Sequence, residues 1–238
     1  VFDGATNLGE PLLPGDSDAA WLARFGARRL MAHCHDCDDA AEALRRALVD
    51  AEKSFTGLRR RVPKENYEHP YASMMFVRAA NSHVDALWFG DCGAFVKRPN
   101  DKVEIIGEAF DKRAAEASRV SMLARAKGLA PAAGINRPEF MSALRAARNT
   151  VNTEKGGWLF GPHAHAAEHA RGAKVDVPPG TVMLLASDGF LALASDYGLY
   201  DADSLVAAAE KTGLESLGAE LRAIEATDPD GMKYPRFK

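Results

Sequence analysis

The alternation of hydrophobic patterning along this chain predicts a layered α+β domain. Helical periodicity comes first, then short runs rich in Val, Phe, Trp and Ile, then helices, strands and helices again. That order suits segregated layers better than the strict β-α alternation of a doubly wound sheet. The strand at 71–79 is apolar on both faces, Met74 and Phe76 on one and Met75 and Val77 on the other, so its sheet is expected to be covered on both sides. With 238 residues, 47% of them hydrophobic and 26% charged, the chain is long enough for one substantial core.

The elements follow in order. An apolar start, Val1-Phe2, reads as a strand ending at Asp3-Gly4, and a turn-rich stretch from Asn7 to Ser17 holds Pro11 and Pro14. A first helix is expected over 18–33 and a second over 40–55, with Leu44, Leu48, Ala51 and Phe55 on one face. Arg59-Arg60-Arg61, closed by Pro63, reads as a helix terminus, with phosphate attraction as the other use of such a run. Strands are expected over 71–79, 83–98 and 102–107, consecutive and antiparallel, with Asn81-Ser82 and Cys92-Gly93 as turns. A long helix over 108–127 and another from Asn136, capped with Glu139 and striped by Phe140, Leu144, Ala147 and Val151, come next. Strands over 166–177 and 181–186 flank Pro178-Pro179-Gly180, and helices over 203–212 and 214–226 follow.

Composition excludes several classes. A net charge of -3 leaves no electrostatic footprint for nucleic acid and no basic face for an anionic membrane. No run of about 18 uncharged apolar residues is present, which removes a membrane-spanning helix. Three cysteines, Cys34, Cys37 and Cys92, are too few for a disulfide framework and favour a reducing, cytoplasmic setting. The cluster His33-Cys34-His35-Asp36-Cys37 has zinc-ligand character, but no second cysteine pair completes a four-ligand site. Asp39 with Glu42 reads equally well as a capping box for the second helix.

Two Asp-Gly steps follow apolar runs: Asp3-Gly4, and Asp188-Gly189 after TVMLLAS at 181–187. An acidic residue at the end of a buried strand sits where a hard cation can reach it, although Asp-Gly is also a common turn. Their order around Gly90-Asp91, with TVMLLASDGFLAL as the most specific part, resembles a bacterial member of the metal-dependent serine/threonine protein phosphatases of type 2C. The resemblance spans nearly the whole sequence. It implies a four-layer α-β-β-α sandwich of two antiparallel sheets flanked by helices, and two divalent cations, Mg or Mn, at one edge. Asp3 would bridge the ions, the Gly4 carbonyl would ligate one and Asp188 the other, with Asp91 near a weaker third. Asp3 and Asp188 are thereby the expected catalytic residues, and a metal-bridging water would attack a phosphoprotein or a small phosphomonoester.

Several positions depart from that family. Ala5 stands where a His usually follows the Asp-Gly step, Ala192 where a further Asp is common, and Cys92 where an Arg often follows Gly-Asp. Further acidic ligands of the family would fall beyond Val1 and Lys238, so residues 1–238 are expected to form a single phosphatase-like domain lacking short terminal segments. His163, His165 and His169 are expected to form a surface loop, with substrate contact or replacement of the acid missing at Ala5 as alternatives. Two further readings stand beside the enzyme. One is a catalytically weak or inactive binding or regulatory module of the same fold; the other is a zinc-stabilised interaction protein built on residues 33–39.

Overall fold

The computed structural model describes residues 1–15, 17–80, 83–108 and 138–228. In chain order the elements are β1 (Phe2–Gly4), α1 (Asp18–Asp36), α2 (Ala40–Leu58), β2 (Ala72–Ala79), β3 (His83–Phe89), β4 (Gly93–Lys97) and β5 (Glu104–Ile106). After them come α3 (Pro138–Arg148), β6 (Arg171–Asp176), β7 (Val182–Ala186), α4 (Asp188–Ser195), α5 (Ala202–Thr212) and α6 (Leu214–Thr227). The expected helix over 108–127, apart from Glu108 in a bend, the start at Asn136 and the turn at Asn81-Ser82 lie outside the described residues. Two compact units emerge, residues 1–92 with 142–178, and residues 93–141 with 179–238.

The first unit holds a four-stranded antiparallel sheet, in the order β1-β2-β3-β6, with α1 and α2 against it. Phe2, Met74, Phe76 and Phe89 pack with Leu22, Leu44, Leu48 and Phe160 on the helix-facing side. Each fully buried side chain of this size contributes about 1.5–3 kcal/mol. Ser17 caps α1 by accepting from the Ala20 amide, and Asp39 caps α2 by accepting from Ala41 and Glu42. The Glu42 carboxylate turns outward to Arg45 and Arg46 instead of closing a reciprocal box. Arg78 donates to the carbonyls of Cys37 and Asp38, which fixes the turn between the two helices.

The second unit holds a three-stranded antiparallel sheet, order β5-β4-β7. Phe95 of β4 and Leu184 of β7 pack with Leu191, Leu193, Leu205, Val206, Leu217 and Leu221 from α4, α5 and α6. Asp201 and Ser204 form a reciprocal capping box that starts α5.

The α+β class, with two antiparallel sheets each flanked by helices, is as expected, and three local expectations are corrected. β3 and β4 do not pair: β4 is hydrogen-bonded to β5 and β7, so Gly90-Asp91-Cys92 carries the chain from one sheet into the other and is not a hairpin turn. The strand expected over 166–177 begins only at Arg171, because residues 164–169 wind into a 3₁₀ turn that buries Ala166. The chain after Ser187 is helical, and α4 was not anticipated: its apolar residues are packed too densely in sequence to show a helical stripe.

Candidate functional site

Asp3 lies opposite Ser73 in the β1–β2 ladder, and because Met74 lies opposite Phe89, Ser73 is followed across the sheet by Gly90. Phe2, Met74 and Phe89 face the helices, so Asp3 and Ser73, one position along, project from the opposite face. Gly90 has φ +73°, and a Cβ there would stand 2.2 Å from Ser73 Oγ. Glycine thus lets the turn close over the serine, and the Asp91 amide donates to the same Oγ at 3.4 Å. Asp3, Gly4 and Asp91 are brought to one end of the first sheet, around Ser73.

The turn after Asp3 is tied down at many points. A Cβ on Gly4 would lie 2.9 Å from the Ala19 carbonyl oxygen, so only glycine allows β1 this close to α1. The Ala5 amide donates to the Tyr71 carbonyl at 2.9 Å, extending the ladder by one bond. Arg148 donates to the Thr6 carbonyl and Arg145 to that of Leu8, while the Arg145 guanidinium lies 4.9 Å from the Tyr67 ring centre. Asp18, only 1% exposed, accepts from the Leu12 and Leu13 amides at 2.7 and 3.0 Å. A cavity of about 420 Å³ opens beside this loop, lined among the described residues by Gly4, Thr6, Asn7, Ser17 and Ala19 and by no charged side chain.

Asp188 belongs to the second unit. It opens α4 directly after β7, is 4% exposed, and lies where the helix N-terminus favours a carboxylate. Ala192, also buried, packs in the apolar core of that unit.

The histidines lie in a 3₁₀ turn, with His163 at its N-cap, instead of an irregular loop; His165 is exposed, and His163 and His169 are half-buried against aromatic partners. His163 stacks on Tyr71 (ring centres 5.7 Å apart, planes 8° apart) and lies 4.6 Å from His69. His165 contacts the Asn152 carbonyl, and His169 stacks on Trp158 at 3.4 Å. Their aromatic faces find partners that a sequence cannot pair. Burial, with His69 and His165 nearby, pulls the His163 pKa down to about 3, so its imidazole is neutral near pH 7 and cannot replace the acid missing at Ala5. Arg59 caps the end of α2, its amide donating to the Phe55 carbonyl, and Arg61 is spent on a two-point pair with Glu68. Around residues 33–39, His33 bonds Asp50 beside Arg29, and Cys37 is buried.

No family model matches the sequence, and no curated protein matches it. Solved structures do. One is the serine/threonine phosphatase PstP/Ppp of Mycobacterium tuberculosis, 13% identical, covering 98% of this chain and 82% of that one with a TM-score of 0.53. Another is the catalytic domain of the serine/threonine protein phosphatase PstP in complex with two manganese ions, 14% identical, covering 98% and 81%, also at 0.53. The chain has the fold of a bacterial type 2C phosphatase.

Asp3, Asp91 and the Gly4 carbonyl in the first unit, and Asp188 in the second, offer hard oxygens, the chemistry that suits Mg or Mn. Their number is short: among the described residues, no group of three or more His, Cys, Asp or Glu is placed to hold an ion. Among the described residues, no helix is long and apolar enough to cross a membrane. Asp18, Tyr71 and Arg148 were missed by sequence reasoning. Asp18 looks like an ordinary first-turn acid, and nothing in the sequence pairs Arg148 with Thr6.

Proposed function

We propose that residues 1–238 act as one phosphatase-like domain, a metal-dependent phosphomonoester hydrolase of the serine/threonine protein phosphatase type working in the cytoplasm. The observation that supports this most is the placement of Asp3, Ser73 and Gly90-Asp91 in one row at the end of the first sheet, in a fold shared with a manganese-bound phosphatase. Asp3, the Gly4 carbonyl, Asp188 and Asp91 would hold two divalent cations, which supply phosphoryl charge neutralisation and an activated water. The chain's own part is to fix Asp3 through the Gly4–Ala19 contact and the ladder to Tyr71, and to leave a cavity beside the step for the ester's organic group.

With alanine at position 5 and a neutral His163, neither position offers the leaving alcohol a proton near pH 7. Such a proton is worth about 10²–10⁴ in rate, so aryl phosphates, whose phenolate leaves unaided, are expected to be hydrolysed much faster than phosphoserine peptides. Hydrolysis of an aryl phosphate with added Mn, lost on chelation and in both Asp3→Asn and Asp188→Asn, would support the enzyme. Clean protein inert across a range of Mg and Mn concentrations would sink it. The short donor set and the packed Ala192 favour one second reading, a catalytically weak or inactive binding module of the same fold. Saturable phosphopeptide binding without turnover would establish it.

A further inference from the structure

Six arginines are matched with carboxylates: Arg29 with Asp50, Arg45 and Arg46 with Glu42, Arg61 with Glu68, Arg98 with Glu104, Arg222 with Glu225. Arg148 is not. Half-buried at the end of α3, it has no acidic partner among the described residues, and its described hydrogen bond is one N–H to the Thr6 carbonyl. A guanidinium carries five donors in a planar fork, and taking it out of water without an anion is costly.

Its position gives the unused donors a direction. Ala5 extends the ladder opposite Tyr71, as Asp3 lies opposite Ser73, and alternate strand positions share a face. Tyr71 therefore lies on the side of the sheet that carries Asp3, and the bond to the carbonyl of Thr6, the residue after Ala5, sets Arg148 beside the loop that leaves Asp3-Gly4. Arg145, one turn earlier on α3, does not compete for this role, since its guanidinium is taken up by the Leu8 carbonyl and the Tyr67 ring.

We propose that Arg148 is the phosphate-binding residue of this chain, its guanidinium fork engaging two oxygens of a phosphomonoester while the Thr6 carbonyl holds it in place. Planar, charge-assisted pairing of this kind is what an arginine supplies and a lysine does not. The inference rests on the phosphomonoester reading above, yet it concerns binding and can be measured without turnover.

The experiment titrates inorganic phosphate into the full chain, with chelator present, while the ¹H–¹⁵N signals of the arginine side chains are followed. One Nε–H signal, absent from Arg148→Gln, is expected to shift and saturate. Arg148→Gln is expected to weaken phosphate binding about tenfold or more, Arg148→Lys to recover part of the loss, and Arg145→Gln to stay within about threefold of the parent. Equal affinity in the parent and Arg148→Lys, with no saturable shift at the Arg148 signal, overturns the proposal. Should Arg148→Gln fail to fold by circular dichroism, the Lys variant and the parent's signal decide. Phosphate binding through Arg148 with no ester hydrolysis keeps this inference and removes the enzyme; hydrolysis with an unchanged KM in the Arg148 variants does the reverse.

Discussion

The same dipeptide, Asp-Gly, is built in opposite ways at its two occurrences. At Asp3-Gly4 the glycine is a steric necessity, with the Ala19 carbonyl 2.9 Å from where a Cβ would be, and the following loop is held by Asp18, Arg145 and Arg148. At Asp188-Gly189 the nearest atom to a Cβ is Ser187 Oγ at 3.9 Å, and the step is the first turn of a helix. One aspartate is positioned by tertiary contacts around a tight turn, the other by the local geometry of a helix N-terminus. A shared motif therefore says little about how rigidly its acid is held.

The largest effect that would sharpen this contrast is catalytic. Asp3→Asn and Asp188→Asn should each lower aryl phosphate hydrolysis by at least about 10²-fold, and a variant that keeps most of its kcat would remove that aspartate from the site. Next comes the loop's anchor. Asp18→Ala strands two buried amides, at about 1–3 kcal/mol each, and denaturant unfolding should show the loss. Gly4→Ala should cost about 1–3 kcal/mol through overpacking against backbone. Its counterpart Gly189→Ala, in an open helical position, should be neutral or stabilising by a few tenths of a kcal/mol. Similar costs at the two glycines would break the comparison.

Acid should separate the two turns as well. The His163 pKa is depressed from 6.5 to about 3 in the folded chain, so the unfolded chain binds the proton more readily. Its stabilising contribution is complete above pH 6.5 and is lost as pH falls toward 3. Because Tyr71 both stacks on His163 and accepts from the Ala5 amide, hydrogen exchange at Ala5 should quicken over that window more than exchange at Leu191, in the first turn of α4. His163→Phe should flatten the dependence.

α1 and α2 were legible because one face meets a core and the other water, and β2 because a short run apolar on both faces fits a covered strand. The separation of β3 and β4 into different sheets was not, since Gly90-Asp91-Cys92 has turn chemistry whether the chain doubles back or moves to a second sheet. α4 was hidden in a run of Phe, Leu and Ala too uniform to show a period. The two acidic steps were readable as candidates, whereas Arg148 and Asp18 matter through backbone groups of a loop, and backbone partners leave no trace in side-chain sequence.

Asn66 bears on how the chain assembles. Its side chain donates to the carbonyls of Asn149 and Val151 and accepts from the Tyr71 hydroxyl, while the Tyr67 amide donates to Asn149. The first unit is thus stitched shut by residues that follow the whole excursion 93–141, and β6 joins its sheet later still. A ribosome-bound chain ending before Asn149 carries Asp3 on an open sheet, and the closure entropy of that long loop falls late in synthesis. Maturation of the first acidic turn is accordingly timed by the arrival of residues 149–176, so a pause in translation shortly before them would prolong exposure of the helix-facing core.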